Sequence, residues 1–239
     1  MSFPDNFVWG AAAASYQIEG GAYEDGKGLS VWDMMCRQQG RVYAGHTGDV
    51  AINHYHRYKE DVALMKQMGL MAYRLSISWP RVLPEGVGPV NEAGLDFYDR
   101  LVDELVAADI VPYLTLFHWD FPHALYCRGG WLNPQSPEWF AEYAEVVVDK
   151  LSDRVKHWMT LNEPQCFIGL GLLDGIHAPG DKLGLEEVLL AGHHTLLAHG
   201  RSVQVIRART RLESSIGYAP TGSPVMPADE ADKDNVEQA

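Results

Sequence analysis

In the stretch KHWMTLNEPQ, Lys156 to Gln165, an apolar run of strand character stops at Asn162, Glu163 and Pro164. A carboxylate there could cap a helix, sit in a loop, or give and take a proton in catalysis. Pro164 disfavours helical geometry at the residue before it, so the spacing predicts extended backbone at Glu163 and a carboxylate projecting from a strand end. Other apolar runs end in similar polar or aromatic groups: Gln17 and Glu19 after FVWGAAAASYQ, Arg74, Ser78 and Trp79 around AYRLSIS, and His118, Trp119 and Asp120 at the close of IVPYLTLFHWD. An acid, an amide, an imidazole and a guanidinium brought to one place could run acid–base chemistry on a polar ligand.

Positioning them requires a regular scaffold, and the chain has the rhythm of one. Tyr58, Val62, Met65 and Gly69 fall at helical spacing before the run from Ala72. Leu95, Tyr98, Val102 and Leu105 share a helix face before Ile110, and Phe140, Val147 and Leu151 share another before WMTLNE. That third helix is expected to start with Ser136 as N-cap and Pro137 at the first helical position. A fourth, from Glu186, leads into SSIGYAP. Strands alternating with helices imply a parallel sheet, because parallel strands need crossover connections. No GxGxxG or GxxxxGK follows the first strand, which disfavours a doubly wound nucleotide fold, whereas polar chemistry at every C-terminal strand end suits a parallel α/β barrel. Five such strands are expected.

Composition excludes several classes of partner. Lys and Arg number 19 against 32 Asp and Glu, and the resulting charge of −13 disfavours nucleic acid or an anionic membrane surface. Cys36, Cys127 and Cys166 are an odd count without metal-like pairing, so no disulfide framework is expected, and Cys166 reads as a buried inert thiol. His54, His56, His193, His194 and His199 crowd helical segments without acidic or Cys partners at metal spacing and read as packing residues. No apolar run approaches the ~18 residues of a membrane span, and the start MSFPDNFVWG has no signal-peptide pattern, so the expectation is a soluble cytoplasmic protein. The tail from Pro220 turns Pro-rich and acidic, and NVEQA resembles the start of a helix.

FVWGAAAASYQIEGG, AYRLSISWPRVLPEG, LTLFHWDFPHAL and TLNEP, in that order, together resemble the family 1 β-glycosidases, with local agreement at SVWD, GGWLN and HAPG. The resemblance runs from Phe7 to about Pro220. It implies an α/β fold, a (β/α)8 TIM barrel incomplete here (about strands 1–5 of 8), with residues 1–239 as the N-terminal portion of a single domain, and retaining hydrolysis of β-glycosides through a covalent glycosyl-enzyme. By the same resemblance Glu163 is the general acid and then base, and Asn162 donates to the sugar 2-hydroxyl. Gln17, His118, Trp119 and Asn162 would bind the non-reducing sugar, and Arg74 would support a nucleophilic carboxylate. Glu19 would be structural. Hydrogen-bond donors among Trp rings suit a ligand with hydroxyl edges and apolar CH faces. The implied substrates are β-linked disaccharides or aryl and alkyl glycosides, with no metal or organic cofactor.

Retaining hydrolysis needs two carboxylates ~5–5.5 Å apart, and the family's Glu-Asn-Gly nucleophile motif does not occur in this sequence. Five strand units would also leave two open edges. A C-terminal chain completing the barrel, or self-association, is therefore an expected partner. The alternatives are a noncatalytic carbohydrate-binding or regulatory half-barrel, and a barrel enzyme acting on phosphorylated metabolites. Glucoside, galactoside and 6-phosphoglycoside preferences stay open.

Overall fold

Each apolar run becomes a strand and each amphipathic segment a helix in the computed structural model, which describes residues 2–222, 226–228, 231 and 233–238. The order is β1 (Gly10–Ala12), α1 (Ser15–Ile18), α2 (Val31–Cys36), α3 (His54–Gln67), β2 (Ala72–Ser76), α4 (Trp79–Val82), α5 (Glu92–Ala107), β3 (Val111–Phe117), α6 (His123–Tyr126), α7 (Ser136–Leu151), β4 (His157–Asn162), α8 (Leu185–Arg209), β5 (Ser215–Ala219) and α9 (Lys233–Gln238). A π-helical turn, Cys166–Leu173, follows β4.

The five strands form one sheet in the order β1-β2-β3-β4-β5, every pair parallel. Chain order equals spatial order, as in a strand–helix unit repeated around an arc. Among the described strands β1 and β5 each pair on one side only, so the arc is open. Side chains of Leu114 and Leu116 on β3 meet Leu101, Val102 and Leu105 of α5 and Phe140, Val147, Val148 and Leu151 of α7 in one buried core. The helix residues recur at three- and four-residue spacing, which places them on one face of each helix. Trp79 stacks on Tyr143 with ring centroids 5.1 Å apart, and the Tyr143 hydroxyl donates to the carbonyls of Ile77 and Leu116. That bond anchors α7 beneath the ends of β2 and β3.

Glu19 is structural. Its carboxylate accepts from Arg81 Nε at 2.9 Å and from the Tyr98 hydroxyl at 2.7 Å, while Arg81 Nη2 donates to the Gly20 carbonyl and the guanidinium lies 4.1 Å from the Tyr55 ring centre. Arg81 is fully buried, so this pair locks the end of α1 to α4 and α5.

One local expectation shifts. Ser136 is the first residue of α7, not its N-cap; Gln135 stands in the cap position, and the buried Ser136 hydroxyl makes no capping bond. Histidines that crowd helices make pairwise structural contacts: His54 Nδ1 lies 2.6 Å from Asp61, His56 meets Glu24, His194 donates to the Trp131 carbonyl and His199 meets the Thr160 hydroxyl. A helix does form at Lys233–Gln238, and the rest of the tail from Pro220 is described at 220–222, 226–228 and 231.

Candidate active site

The site grows from an irregularity in β4. Met159 pairs with Gly217 and Asn162 with Ala219, so Thr160 and Leu161 on β4 face the single Tyr218 on β5. Thr160 directs its hydroxyl to His199 on α8, and strict alternation would send Asn162 to the same helix-covered side. The extra residue is a bulge that turns it the other way. Asn162 Oδ1 then accepts from Arg74 Nη2 at 2.6 Å, and Nδ2 lies 3.0 Å from His118 Nε2. Arg74 comes from β2 and also donates Nε to Thr115 Oγ1 on β3 at 2.9 Å.

This chain of bonds sets the histidine tautomer. A guanidinium only donates, so Asn162 presents its oxygen to Arg74 and its NH2 to His118. His118 Nε2 is therefore an acceptor, which leaves the imidazole proton on Nδ1. Burial, with the Arg74 charge in support, pushes His118 down to about 4 from 6.5, so the ring is neutral near pH 7. Burial also lowers Arg74, against the opposing pull of the Glu163 carboxylate.

Glu163 stands at the predicted place but not in the predicted conformation. Its φ is +44°, left-handed instead of extended. Its N–H still bonds to the Ala219 carbonyl at 2.8 Å while the chain turns at once into the helical segment beyond Pro164, whose Cys166 N–H bonds back to the Glu163 carbonyl. Pro164 bars right-handed helical geometry, and the sharp turn is made in the left-handed region at a cost of about 1–3 kcal/mol. Cys166 is half-buried rather than buried: its thiol donates to Glu163 Oε2 at 3.4 Å, and burial together with that carboxylate raises its pKa, which keeps it a thiol. The groups set against Glu163 are thus a thiol and a guanidinium.

His118 and Trp119 continue from β3. Trp119 also has a left-handed backbone, φ +76°, which swings its indole so that Nε1 donates to the Asn162 carbonyl at 2.9 Å. Gln17 reaches out from α1 and is exposed. Gln17, His118 and Trp119 line one open cleft of about 390 Å³. Arg74, Asn162 and Glu163 are not on its wall, and the first two join it through His118. The sequence reading passed over Tyr16, Trp32 and His177, which line the same cleft. His177 packs between Trp32 and Trp119, at 5.5 and 5.4 Å. The signal was present, because Trp32 lies in SVWD and His177 in HAPG, two of the matched stretches. Among the described residues no three His, Cys, Asp or Glu side chains cluster as a metal site, and no helix is long and apolar enough to cross a membrane. Chemically, the cleft offers aromatic faces and neutral amide and imidazole groups beside one carboxylate.

Known proteins agree with this architecture. Beta-glucosidase A of Thermotoga maritima is 47% identical over 232 residues, covering 97% of this chain and 52% of that protein. The aryl-phospho-beta-D-glucosidase BglC of Bacillus subtilis is 46% identical over 227 residues, covering 95% and 47%. The solved structure of the Thermotoga maritima beta-glucosidase in complex with deoxynojirimycin superposes with a TM-score of 0.92 at 46% identity, over 98% of this chain and 52% of that one. The chain spans about half the length of these relatives, and its five parallel strands correspond to about half of a family barrel. The description of Glycosyl hydrolase family 1 matches residues 1–239. With this match, the ordered strand ends and the close superposition, the chain belongs to glycosyl hydrolase family 1.

Proposed function

We propose that residues 1–239 are the N-terminal portion of a single barrel domain, and that the barrel hydrolyses terminal β-D-glucosides or β-D-galactosides with retention. In this reading Glu163 protonates the departing glycosidic oxygen and afterwards takes a proton from the attacking water. Asn162 donates to the sugar 2-hydroxyl, a contact that strengthens in the oxocarbenium-like transition state. Gln17, His118 and Trp119 hold the non-reducing sugar. Arg74 supports the nucleophilic carboxylate, which another part of the barrel contributes. The substrates are β-linked disaccharides and aryl or alkyl glycosides.

The observation that carries the reading is Asn162, turned inward by the bulge and held between Arg74 and His118 beside Glu163. The test is leaving-group dependence. Glu163→Gln should cost a poor leaving group, such as an alkyl alcohol or a sugar, about 10²–10⁴-fold in turnover, because that is the scale of a positioned general acid. An aryl group that departs easily as its anion should lose far less in the glycosylation step. Equal losses across the series would overturn the assignment of Glu163.

A second reading, sugar binding without turnover, has one observation in its favour: the groups set against Glu163 are a thiol and a guanidinium. Saturable binding of deoxynojirimycin by the 239-residue chain, with no hydrolysis of any glycoside by the completed barrel, would decide for it.

A further inference from the structure

Gln17 and the His118–Trp119 pair lie on different loops, yet both loops end on one buried bond. Asp120, 1% exposed, follows directly on Trp119, and its Oδ2 accepts from Ser15 Oγ at 3.0 Å. Ser15 opens α1, the helix that carries Gln17 two residues later. Ser15 is itself held twice by β2: its N–H donates to Ser76 Oγ at 2.8 Å, and Ser76 Oγ donates to Ser15 Oγ at 3.1 Å. A line of hydroxyls and one carboxyl therefore ties together the ends of β1, β2 and β3.

We propose that Asp120 is a positioning residue for the cleft, holding the left-handed backbone of Trp119 and, through Ser15, the register between Trp119 and Gln17. This rests on the sugar-site reading of the cleft. The physical case is one of strain and over-determination. A tryptophan at φ +76° persists only where its neighbours hold it there, and a charge-capable carboxyl buried without purpose would be expensive. On the far side of Asp120, Val31 N–H bonds to the Phe121 carbonyl and Ser30 bridges to Pro122, so the segment is pinned just beyond the strained residue as well. Asp120 supplies the pin next to the indole. Burial, with Glu19 adding to it, pushes Asp120 up to about 7, against the Ser78 and Ser15 hydroxyls and Lys27. A protonated carboxyl keeps its bond from Ser15 Oγ and, with Oδ1 lacking a hydrogen-bond partner, avoids forcing an unpaired charge into the interior.

The test uses the barrel completed by a polypeptide carrying the remaining strands of a family relative, and two readouts. The first is the indole ¹H–¹⁵N resonance of Trp119, assigned by its disappearance in Trp119→Phe. Its position reports the hydrogen bond to the Asn162 carbonyl and needs no ligand. The second is the affinity for deoxynojirimycin by calorimetry. Ser15→Ala and Asp120→Ala should move the Trp119 resonance upfield and weaken the inhibitor about tenfold, since small misplacement of positioning groups costs that much or more. Asp120→Asn, which can still accept from Ser15, should restore both. Leu151→Ala, a core truncation on α7, should lower the melting temperature while leaving both readouts unchanged. Ser15→Ala, the milder change, keeps the test alive if Asp120→Ala fails to fold. A Trp119 resonance that stays put in Ser15→Ala and Asp120→Ala would overturn the proposal. Failure of the wild-type completed barrel to bind deoxynojirimycin would instead overturn the sugar-site reading, and the resonance would still decide the role of Asp120.

Discussion

At the scale of single residues, the cleft is governed by two titratable groups with opposite pH signatures, the partly buried His118 on its wall and the fully buried Asp120 behind it. His118 is depressed to about 4, so between that value and 6.5 the unfolded chain binds a proton that the folded chain refuses. Its share of stability is complete above about 6.5 and is lost as pH falls toward 4. Asp120 is raised to about 7, so between about 4 and 7 the folded chain keeps a proton that the unfolded chain has released. Its contribution is greatest at low pH and declines as pH rises through 7. Asp120→Asn should therefore gain stability on the wild type as pH climbs from 4 to 8, read from urea midpoints at each pH. A constant difference across that range would contradict the buried proton. Arg74→Met removes the cation beside His118 but leaves its burial, so the ring titration followed by NMR should move up from about 4 without reaching 6.5.

At the scale of elements, function depends on how strand ends and short helices are joined. The Glu19–Arg81 pair fastens α1 to α4, and removing one partner would leave the other charge buried. Arg81→Met should cost about 4 kcal/mol in chemical denaturation. The junction of α4 and α5 is equally close: a Cβ added at Gly94 would sit 2.1 Å from the Arg81 carbonyl oxygen. Gly94→Ala should destabilise by about 2 kcal/mol despite the better helix propensity of alanine, because backbone cannot yield as a flexible side chain can. A stabilised Gly94→Ala would show that α5 shifts freely on α4. Most of this level was legible beforehand. The helix faces of α5 and α7 followed from their periodicity, and the strand ends from the polar residues that closed each run. The bulge in β4 was not legible, since it arises from pairing with β5 and no residue in WMTLNE announces it.

At the scale of the whole molecule, the sheet has two open edges among the described strands and carries apolar surface beside them. Val8 and Trp9 are half-exposed before β1, Tyr218 is exposed on β5, and Leu185, Leu189 and Leu196 stand out on α8. Unpaired edges and such surface favour association. The 239-residue chain by itself should sediment as concentration-dependent oligomers, and Leu189→Lys with Leu196→Lys should reduce them. Under the proposed reading, turnover of an aryl β-glucoside should appear when a polypeptide carrying the remaining strands of a family relative is added, and should vanish with that polypeptide's nucleophilic carboxylate. Turnover by this chain alone that survives Glu163→Gln would contradict both the division of labour and the acid.

The order of strands, the faces of the long helices and the place of Glu163 were determined by local patterns: periodic apolar residues, a proline, and polar groups at the end of each run. Those features act over a few residues, so sequence carries them directly. The conformation of Glu163, the inward turn of Asn162, the proton position on His118 and the tie between Ser15 and Asp120 were decided by tertiary structure. Each depends on a partner distant in the chain: Ala219 for Glu163, β5 for Asn162, Arg74 for His118, and α1 for Asp120. Hydrogen bonding between strand ends has no sequence periodicity, and only folding brings those partners within 3 Å of one another.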